Sequence, residues 1–585
     1  MALSTPSASP AVVVKEIDLT GGVPNVQSTT GAIVGNFRWG AAEQRILIDN
    51  ETSLVNVFAT PDSANTIDWH SASYFLRYSG SLQVVREVTT ACKNARSTTG
   101  QLATDSDGGL GIPVVKNETD FLGQQSTLEA ASHTFIAKYP GELGNGIKVS
   151  VCPPDATAFN AWTYKDEFDA VPGTSNFASL AGASNDEVHI VVVDSDGEFT
   201  GTRGTVLERY PFVSVGTNAK NTDGTTNYAV NILNERSDFV WMINFDSDYQ
   251  AAGASTPINT GDNFDPTALT TATDYTFAKG VNSGALGTGE FLAGFDLFED
   301  KDNVEVDFLI APGMVTSTDQ QTVVNDLIAT AQSLRKDCVV VASPARDDVV
   351  NLTNTATMTS NIVSTASGFT KSSYLVADAN YLKTYDKFND QFINIPAASS
   401  TAGIMAATDL NRAPWFSPAG SRRGQYLGIT AISFSPTKSQ RDTLYKAGIN
   451  PIANIPGQGV LLFGDKTALG RPSAFDRINV RRLFLVLERA IGRAAEQVMF
   501  EFNDEFTRAE FVNIVEPVLR EVKGRRGITD FKVVCDETNN TPAVVDRNEF
   551  IANIFIKPAR SINFVTLNFV AVRTGVDFEE VVGTV

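Results

Sequence analysis

Residues 304–342 read VEVDFLIAPGMVTSTDQQTVVNDLIATAQSLRKDCVVVA and decide the fold of the middle of the chain. The apolar run 304–310 predicts a buried strand, and the run 338–342 predicts a second one. Because a helical segment separates the two strands, we expect a parallel pair joined by a right-handed crossover. Between the strands, apolar residues recur at the spacing of one helix face: Val323, Val324, Leu327, Ile328, Ala331 and Leu334.

The segments around this unit have the same mixed character. Residues 375–470 continue as alternating helical and strand-like stretches. We therefore predict a discontinuous α/β middle domain that is formed by residues 23–90 together with residues 300–455. In its first part the patterns predict strands at 31–35 and 82–88 and helices at 54–58 and 69–78.

Residues 91–299 differ from their surroundings in charge. The chain has a formal net charge of −21, and residues 101–300 carry 9 Lys and Arg against 28 Asp and Glu. Short apolar runs at 147–151 and 189–193, separated by turn residues, predict β-structure. We predict an acidic, β-rich outer domain inserted into the middle domain. Since like charges repel copies of the same surface, we expect this domain on the outside of an assembly.

Residues 456–585 predict a further α/β domain. Two amphipathic helices are expected within 473–523, followed by strands at 531–534, 550–556 and 562–572. The last strand is apolar on both faces, so it needs cover on both sides. Left at a sheet edge, such a strand would be an association hazard.

Residues 1–22 hold one short apolar run, 11–14, followed by Lys15, Glu16 and Ile17, in a background rich in Pro, Ser and Thr. A lone strand cannot satisfy its own backbone groups. The run is therefore either a frayed terminus or a strand that is given to a partner sheet. On the second interpretation, linking arms at both ends of the chain exchange strands between subunits. The candidate residues are Val12, Val13, Val14, Ile17, Ile562, Phe564, Leu567, Phe569, Val570 and Val572.

The sequence offers little catalytic or metal-binding chemistry. The three histidines, His70, His133 and His189, form no zinc-binding spacing, and there is no GxSxG motif. Residues 459–467, GVLLFGDKT, depart from a P-loop because Asp465 puts a carboxylate where phosphate would bind. Asp194 and the residues that follow predict a turn, since the spacing fails for a calcium loop. We predict no enzyme activity, no metal and no cofactor.

Other features constrain the compartment and the partners. The four cysteines, Cys92, Cys152, Cys338 and Cys535, show no CxxC spacing, which favours a reducing compartment. The start of the chain resembles no secretory signal, and no stretch of ~18 apolar residues predicts a membrane span. Since no basic footprint is present, we expect neither nucleic acid nor membrane as a partner.

An ordered series of motifs runs along the chain and is strongest in its last third. The stronger motifs are AFDRINVRRL at 474–483, FNDEFTR at 502–508, VCDETNNTP at 534–542, DRNEF at 546–550, KPARSIN at 557–563 and LNFV at 567–570. Weaker motifs lie upstream, namely FRWG at 37–40, YPGELG at 139–144, SPAG at 417–420 and RDTLY at 441–445. Together these motifs resemble those of the tail sheath proteins of contractile bacteriophages. The resemblance fails around 95–137.

The resemblance implies a virion subunit that assembles as helically stacked hexameric rings around a tail tube. It also implies contraction that drives the tube through the host envelope for genome delivery. The implied partners are further copies of the chain, the tail tube protein, and baseplate and tail terminator proteins, with assembly in the host cytoplasm. The C-terminal domain would face the tube. A basic strip on the first C-terminal helix is then either a solvated face or a tube-facing surface, formed by Arg481, Arg482, Arg489 and Arg493.

Two other functions stay open at this level. The sheath of a headless tail-like bacteriocin, or of another contractile injection system, shares the C-terminal domain. A hydrolase with buried paired carboxylates is the remaining enzyme alternative, because spatial pairs of Asp and Glu cannot be recognised from sequence.

Overall fold

The computed structural model describes residues 28–97, 114–130, 134–264 and 269–563. They form two compact units. The larger unit contains residues 28–414 and 418–488, and the smaller contains 415–417 and 489–563. Both are mixed α/β structures, and several separate sheets are present.

The first segment of the larger unit contributes three strands and two helices. The strand at 31–35 is buried throughout, as its apolar sequence GAIVG requires. The first helix begins where the Asn50 side chain accepts a hydrogen bond from the Ser53 N–H at 2.8 Å. The elements are β1 Gly31–Gly35, β2 Arg45–Ile48, α1 Glu51–Phe58, α2 Thr66–Leu76 and β3 Leu82–Arg86.

The acidic segment forms a second, antiparallel sheet with short helices around it. Turn residues separate the strands, as their Gly, Asn and Asp content predicts. The elements are β4 Asn94–Ser97, α3 Glu118–Ala130, β5 Phe135–Pro140, β6 Ile147–Cys152, α4 Ala156–Ala161, α5 Asn176–Ala181, β7 Glu187–Asp194, β8 Thr205–Ser214, α6 Ala229–Arg236, β9 Val240–Met242, α7 Ser247–Ala251, β10 Thr273–Ala278 and α8 Thr288–Asp296.

The chain then returns to the first sheet through alternating strands and helices. A π-helical turn, Thr330–Arg335, extends the first of these helices. The elements are β11 Phe308–Ile310, α9 Ser317–Ala329, β12 Val339–Ala342, α10 Thr355–Ser367, β13 Leu375–Asp378, β14 Tyr381–Asp386, β15 Gln391–Pro396, α11 Ala398–Asn411, β16 Ala431–Ile432, α12 Lys438–Lys446, β17 Ile449–Asn450, β18 Ile452–Ile455 and β19 Gly459–Leu462.

The first sheet has seven strands in the order β17-β13-β12-β11-β1-β3-β2. All neighbours are parallel except β2 and β3. The second sheet has the order β8-β7-β6-β10-β4-β5-β9, and every pair in it is antiparallel. Smaller sheets join β15-β14-β16 and β18-β19.

Both faces of the parallel sheet are covered by apolar side chains. On one face Val340 and Leu309 pack with residues of α8, α9 and α10. On the other face Val341 and Ile310 pack with residues of α1, α2 and α11. A parallel sheet buried on both sides explains why its strands read as continuous apolar runs.

The predicted strand-helix-strand unit is confirmed, with one correction. Strands β11 and β12 are parallel, with Phe308 opposite Val339, and α9 connects them. The first strand is shorter than predicted, however, and begins at Phe308. The buried Arg335 guanidinium donates to the Val304 carbonyl at 2.8 Å, so that carbonyl is satisfied without a neighbouring strand.

The smaller unit contains a long helix, a strand, a short helix and a second strand. The helix α13 Ile478–Glu496 belongs to the larger unit up to residue 488 and to the smaller unit after it. The next helix begins at Asp504, whose side chain accepts a hydrogen bond from the Thr507 N–H at 2.9 Å. The remaining elements are α14 Glu505–Gly524, β20 Ile528–Val534, α15 Pro542–Val545 and β21 Asn553–Pro558.

Candidate functional site

Strands β20 and β21 form an antiparallel pair with two open edges. Phe531 lies opposite Ile556, and Lys532 lies opposite Phe555. Within residues 489–563 no third strand pairs with either of them. An open edge presents a row of unpaired backbone donors and acceptors, which is a template for another strand.

The same sheet is supported on one face. The buried residues of α14, Phe511, Val515 and Leu519, form a stripe at helical spacing. Ile554 and Ile556 on β21 are half-buried, whereas Phe555 between them is exposed. A two-stranded sheet is marginally stable by itself, so the support from α14 contributes to its stability.

Most of the predicted strand-exchange residues lie outside the described residues. They are Val12, Val13, Val14, Ile17, Phe564, Leu567, Phe569, Val570 and Val572. Ile562 is described, lies four residues beyond the end of β21, and is 85% exposed. Exchange of strands therefore stays a prediction.

Three exposed phenylalanines lie between the end of α13 and the first turn of α14. Phe500 is 100% exposed, Phe502 is 83% exposed and Phe506 is 86% exposed. Phe500 also has a φ of 70°, which is unusual for a bulky side chain. The sequence pattern alone did not single out these side chains, although the motif FNDEFTR places Phe506 off the apolar stripe of α14.

The predicted basic strip on α13 is wrong for its first two members. Arg481 and Arg482 are 7% and 4% exposed, so neither presents a charge to a partner surface. Arg482 pairs with Asp409 and donates to the Ser28 carbonyl at 2.9 Å. The stem of an arginine packs as an apolar group, and periodicity does not show whether the charged end finds a buried partner. Arg489 and Arg493 are half-buried, and their role stays a prediction.

Arg481 is held mainly by aromatic rings. Its guanidinium lies 4.3 Å from the centre of the Tyr374 ring and 4.2 Å from that of Phe475. It also donates to Ser373 Oγ at 2.7 Å. Burial lowers the pKa of Arg481 from its usual value.

The described histidines have structural surroundings. His70 lies 3.1 Å from the buried Asp386 carboxylate, and burial lowers the pKa of His70. His189 stacks on Phe168, and its Nδ1 accepts a hydrogen bond from the Phe212 N–H at 3.0 Å. His133 lies outside the described residues.

The two motifs that resemble ligand sites are also structural. In the P-loop-like segment, Asp465 pairs with Arg477 at 2.9 Å, and the Lys466 amine donates to the Tyr445 carbonyl at 2.9 Å. Asp194 accepts hydrogen bonds from four successive N–H groups, those of residues 197–200, which closes the predicted turn.

Metal binding, membrane crossing and the state of the cysteines can each be assessed over the described ranges. No group of three or more His, Cys, Asp or Glu side chains in them is arranged to hold a metal ion. None of their helices combines the length and the apolar character needed to cross a membrane. The four cysteines are buried free thiols.

Comparison with known proteins identifies two sequence families. Residues 281–468 match the phage tail sheath protein central domain, and residues 471–571 match the phage tail sheath C-terminal domain. The tail sheath protein of Enterobacteria phage T4 is 32% identical over 98% of this chain and 99% of that protein. The tail sheath protein of Vibrio phage KVP40 is 31% identical over the same shares.

Solved structures show a similar fold. The sheath tail protein of Listeria innocua aligns with a TM-score of 0.53 and 13% identity, covering 93% of this chain and 94% of that one. The sheath tail protein of Desulfitobacterium hafniense aligns with a TM-score of 0.50 and 12% identity, covering 94% and 100%.

Proposed function

This chain belongs to the family of contractile phage tail sheath proteins, and we propose that it assembles by exchanging terminal strands between subunits. It is a structural protein of the virion, and its family is not one of enzymes. The observation that supports strand exchange is the sheet β20–β21, which has two open edges in the smaller unit.

The two terminal arms provide candidate strands for the open edges of β20 and β21. Residues 11–17 are a candidate strand without a local partner in the sequence, and residues 562–572 are a candidate strand that is largely apolar on both faces. Added to the edges of β20 and β21, they satisfy the free backbone groups and cover exposed side chains such as Phe555. Each added backbone hydrogen bond contributes about 1 kcal/mol net.

Strand exchange also accounts for contraction without dissociation. A sheath that shortens needs two packings of one subunit, and the extended packing must be separated from the contracted one by a barrier. Arms paired with a neighbour's sheet act as tethers while the side-to-side contacts rearrange. Even ~1 kcal/mol per subunit becomes large when it is summed over a long sheath.

We infer the complete assembly from the family resemblance. The subunits form helically stacked hexameric rings around a tail tube, between baseplate and tail terminator proteins, and are put together in the host cytoplasm. Contraction drives the tube through the host envelope. Of the predicted tube-facing strip only Arg489 and Arg493 remain candidates, since Arg481 and Arg482 are buried. The acidic segment 101–300 lies on the outside, where its charge keeps neighbouring sheaths apart.

Deletion of residues 1–22 tests the arm hypothesis. We expect a folded monomer with an unchanged circular dichroism spectrum that forms no tubes in electron micrographs. A finer variant, Val13→Pro, removes one backbone donor from the run 11–17, and Ser4→Pro is the matched control outside it. Tubes of normal length and yield from the deleted chain would show that the arm is dispensable.

A further inference from the structure

An open cavity of about 680 Å³ lies at the amino-terminal ends of β12 and β13. Lys336 precedes β12, and Ser372 and Ser373 precede β13 directly. Because neighbouring parallel strands start at the same edge of a sheet, these residues converge. Lys371 and Arg471 complete the wall, and the stem of Lys371 packs against Gly470.

The cationic side chains that line the cavity have no carboxylate partner among the described residues. Within the described residues no carboxylate lies within 4.0 Å of Lys336, Lys371 or Arg471. The adjacent carboxylate of Asp337 is occupied by Arg335 at 3.0 Å. Lys371 donates to the Ala366 carbonyl at 2.9 Å, which fixes the amine but does not neutralise it. Three unpaired cations in one concavity are unexpected in a chain of net charge −21.

A buried cation lies behind the cavity wall. Ser373 accepts a hydrogen bond from Arg481 Nη2 at 2.7 Å, and Arg481 Nε is buried without a hydrogen-bond partner. No carboxylate of the described residues lies within 4.0 Å of Arg481. Glu488 on the same helix interacts with Arg481 electrostatically, so it offsets part of the positive charge behind the wall.

An unpaired acidic cluster on the same unit has the complementary charge. Asp296 ends α8, Glu299 follows it, and Asp326 lies on α9. The three carboxylates repel one another, and no Lys or Arg of the described residues lies within 4.0 Å of them. Asp296 and Glu299 are exposed, and Asp326 is half-buried.

We propose that the cavity formed by Lys336, Lys371 and Arg471 binds the cluster Asp296, Glu299 and Asp326 of a second copy of this chain. The contact joins two different surfaces, and where it repeats head to tail it builds a helix. It rests on the proposed self-assembly and adds to it a side-to-side contact that is independent of the arms. Electrostatic complementarity of this kind fixes the register between partners.

A charge-swap experiment tests the contact. Lys336→Glu, Lys371→Glu and Arg471→Glu are combined in one chain, and tube formation is followed by light scattering and electron microscopy. We expect the critical concentration for tubes to rise at least about tenfold, which corresponds to about 1.4 kcal/mol. Adding Asp296→Lys, Glu299→Lys and Asp326→Lys to the same chain should restore it.

The control variant carries the same change of charge at exposed cations away from the cavity. It combines Arg422→Glu, Lys438→Glu and Lys446→Glu, and we expect its critical concentration to stay within about twofold of the unmodified chain. Equal effects of the two triple variants, or failure of the charge swap to restore tubes, would overturn the inference. If the unmodified chain itself formed no tubes, the proposed function would fail instead.

Discussion

Replacing Arg86 by methionine should destabilise the larger unit markedly. The Arg86 guanidinium is fully buried and donates to four backbone carbonyls, the longest of these bonds being that to the Arg38 oxygen at 3.4 Å. Nε lies 2.8 Å from the Phe37 oxygen, Nη1 lies 2.6 Å from the Gly40 oxygen and Nη2 lies 2.5 Å from the Pro140 oxygen. One side chain thus joins the loop after β1 to the end of β5.

The size of the effect is the difference between two opposing contributions. A hydrogen bond from a charged donor contributes about 2 kcal/mol net, so the three short bonds, to Phe37, Gly40 and Pro140, contribute about 6 kcal/mol. Burial lowers the pKa of Arg86 to about 10 from 12.5, which means that burying the charge costs about 3 kcal/mol. Methionine removes both contributions and preserves much of the stem volume. The expected loss of stability is therefore about 3 kcal/mol.

Urea denaturation followed by circular dichroism measures this loss. Arg209→Met is the matched control, because Arg209 pairs with Glu167 at 3.2 Å on the surface and should cost less than about 1 kcal/mol. Arg86→Lys keeps the charge but cannot reach the same carbonyls at once, so its loss of stability should be close to that of Arg86→Met. If Arg86→Met were no more destabilising than Arg209→Met, the reasoning about the buried guanidinium would be refuted.

Two further predictions concern stability. Burial raises the pKa of Asp378 to about 7 and that of Glu87 to about 8, above their usual 3.8 and 4.5. Since both carboxyls are more easily ionised in the unfolded chain, the thermal midpoint should fall as the pH rises from about 4 to about 8 and should level off above that. The double variant Asp378→Asn, Glu87→Gln should flatten this slope, and an unchanged slope would contradict the assignment. In the smaller unit, Phe511→Ala should lower the free energy of unfolding by about 3–5 kcal/mol in urea denaturation, because Phe511 is buried. Phe506→Ala should lower it by less than about 0.5 kcal/mol, because Phe506 is exposed. Equal losses would contradict the packing described.

The parallel core was predictable because its strands are buried on both faces. Continuous apolar runs such as 338–342, and the helical stripe between them, carry that signal in a single local stretch. The amphipathic helix α14 was predictable for the same reason, because its apolar residues recur at the spacing of one helix face. Each of these features depends on neighbours in the sequence.

Features that depend on distant residues were not predictable. The burial of Arg482 depends on Asp409, which is 73 positions away, and on the Phe308 ring. The cavity next to Lys336 combines residues from three separate segments of the chain. The predicted start of β11 at Val304 was wrong. The Val304 carbonyl is satisfied by the Arg335 guanidinium and not by a neighbouring strand. Local patterns carry no information about such pairings.

Negative-stain electron microscopy of the concentrated full-length protein tests the central claim most directly, because a sheath subunit is defined by what it assembles into. Hollow tubes of uniform width, with a regular axial repeat of stacked rings, are the predicted result. Dispersed globular particles at every concentration tested, including in the presence of tail tubes, would contradict the assignment of this chain as a self-assembling sheath.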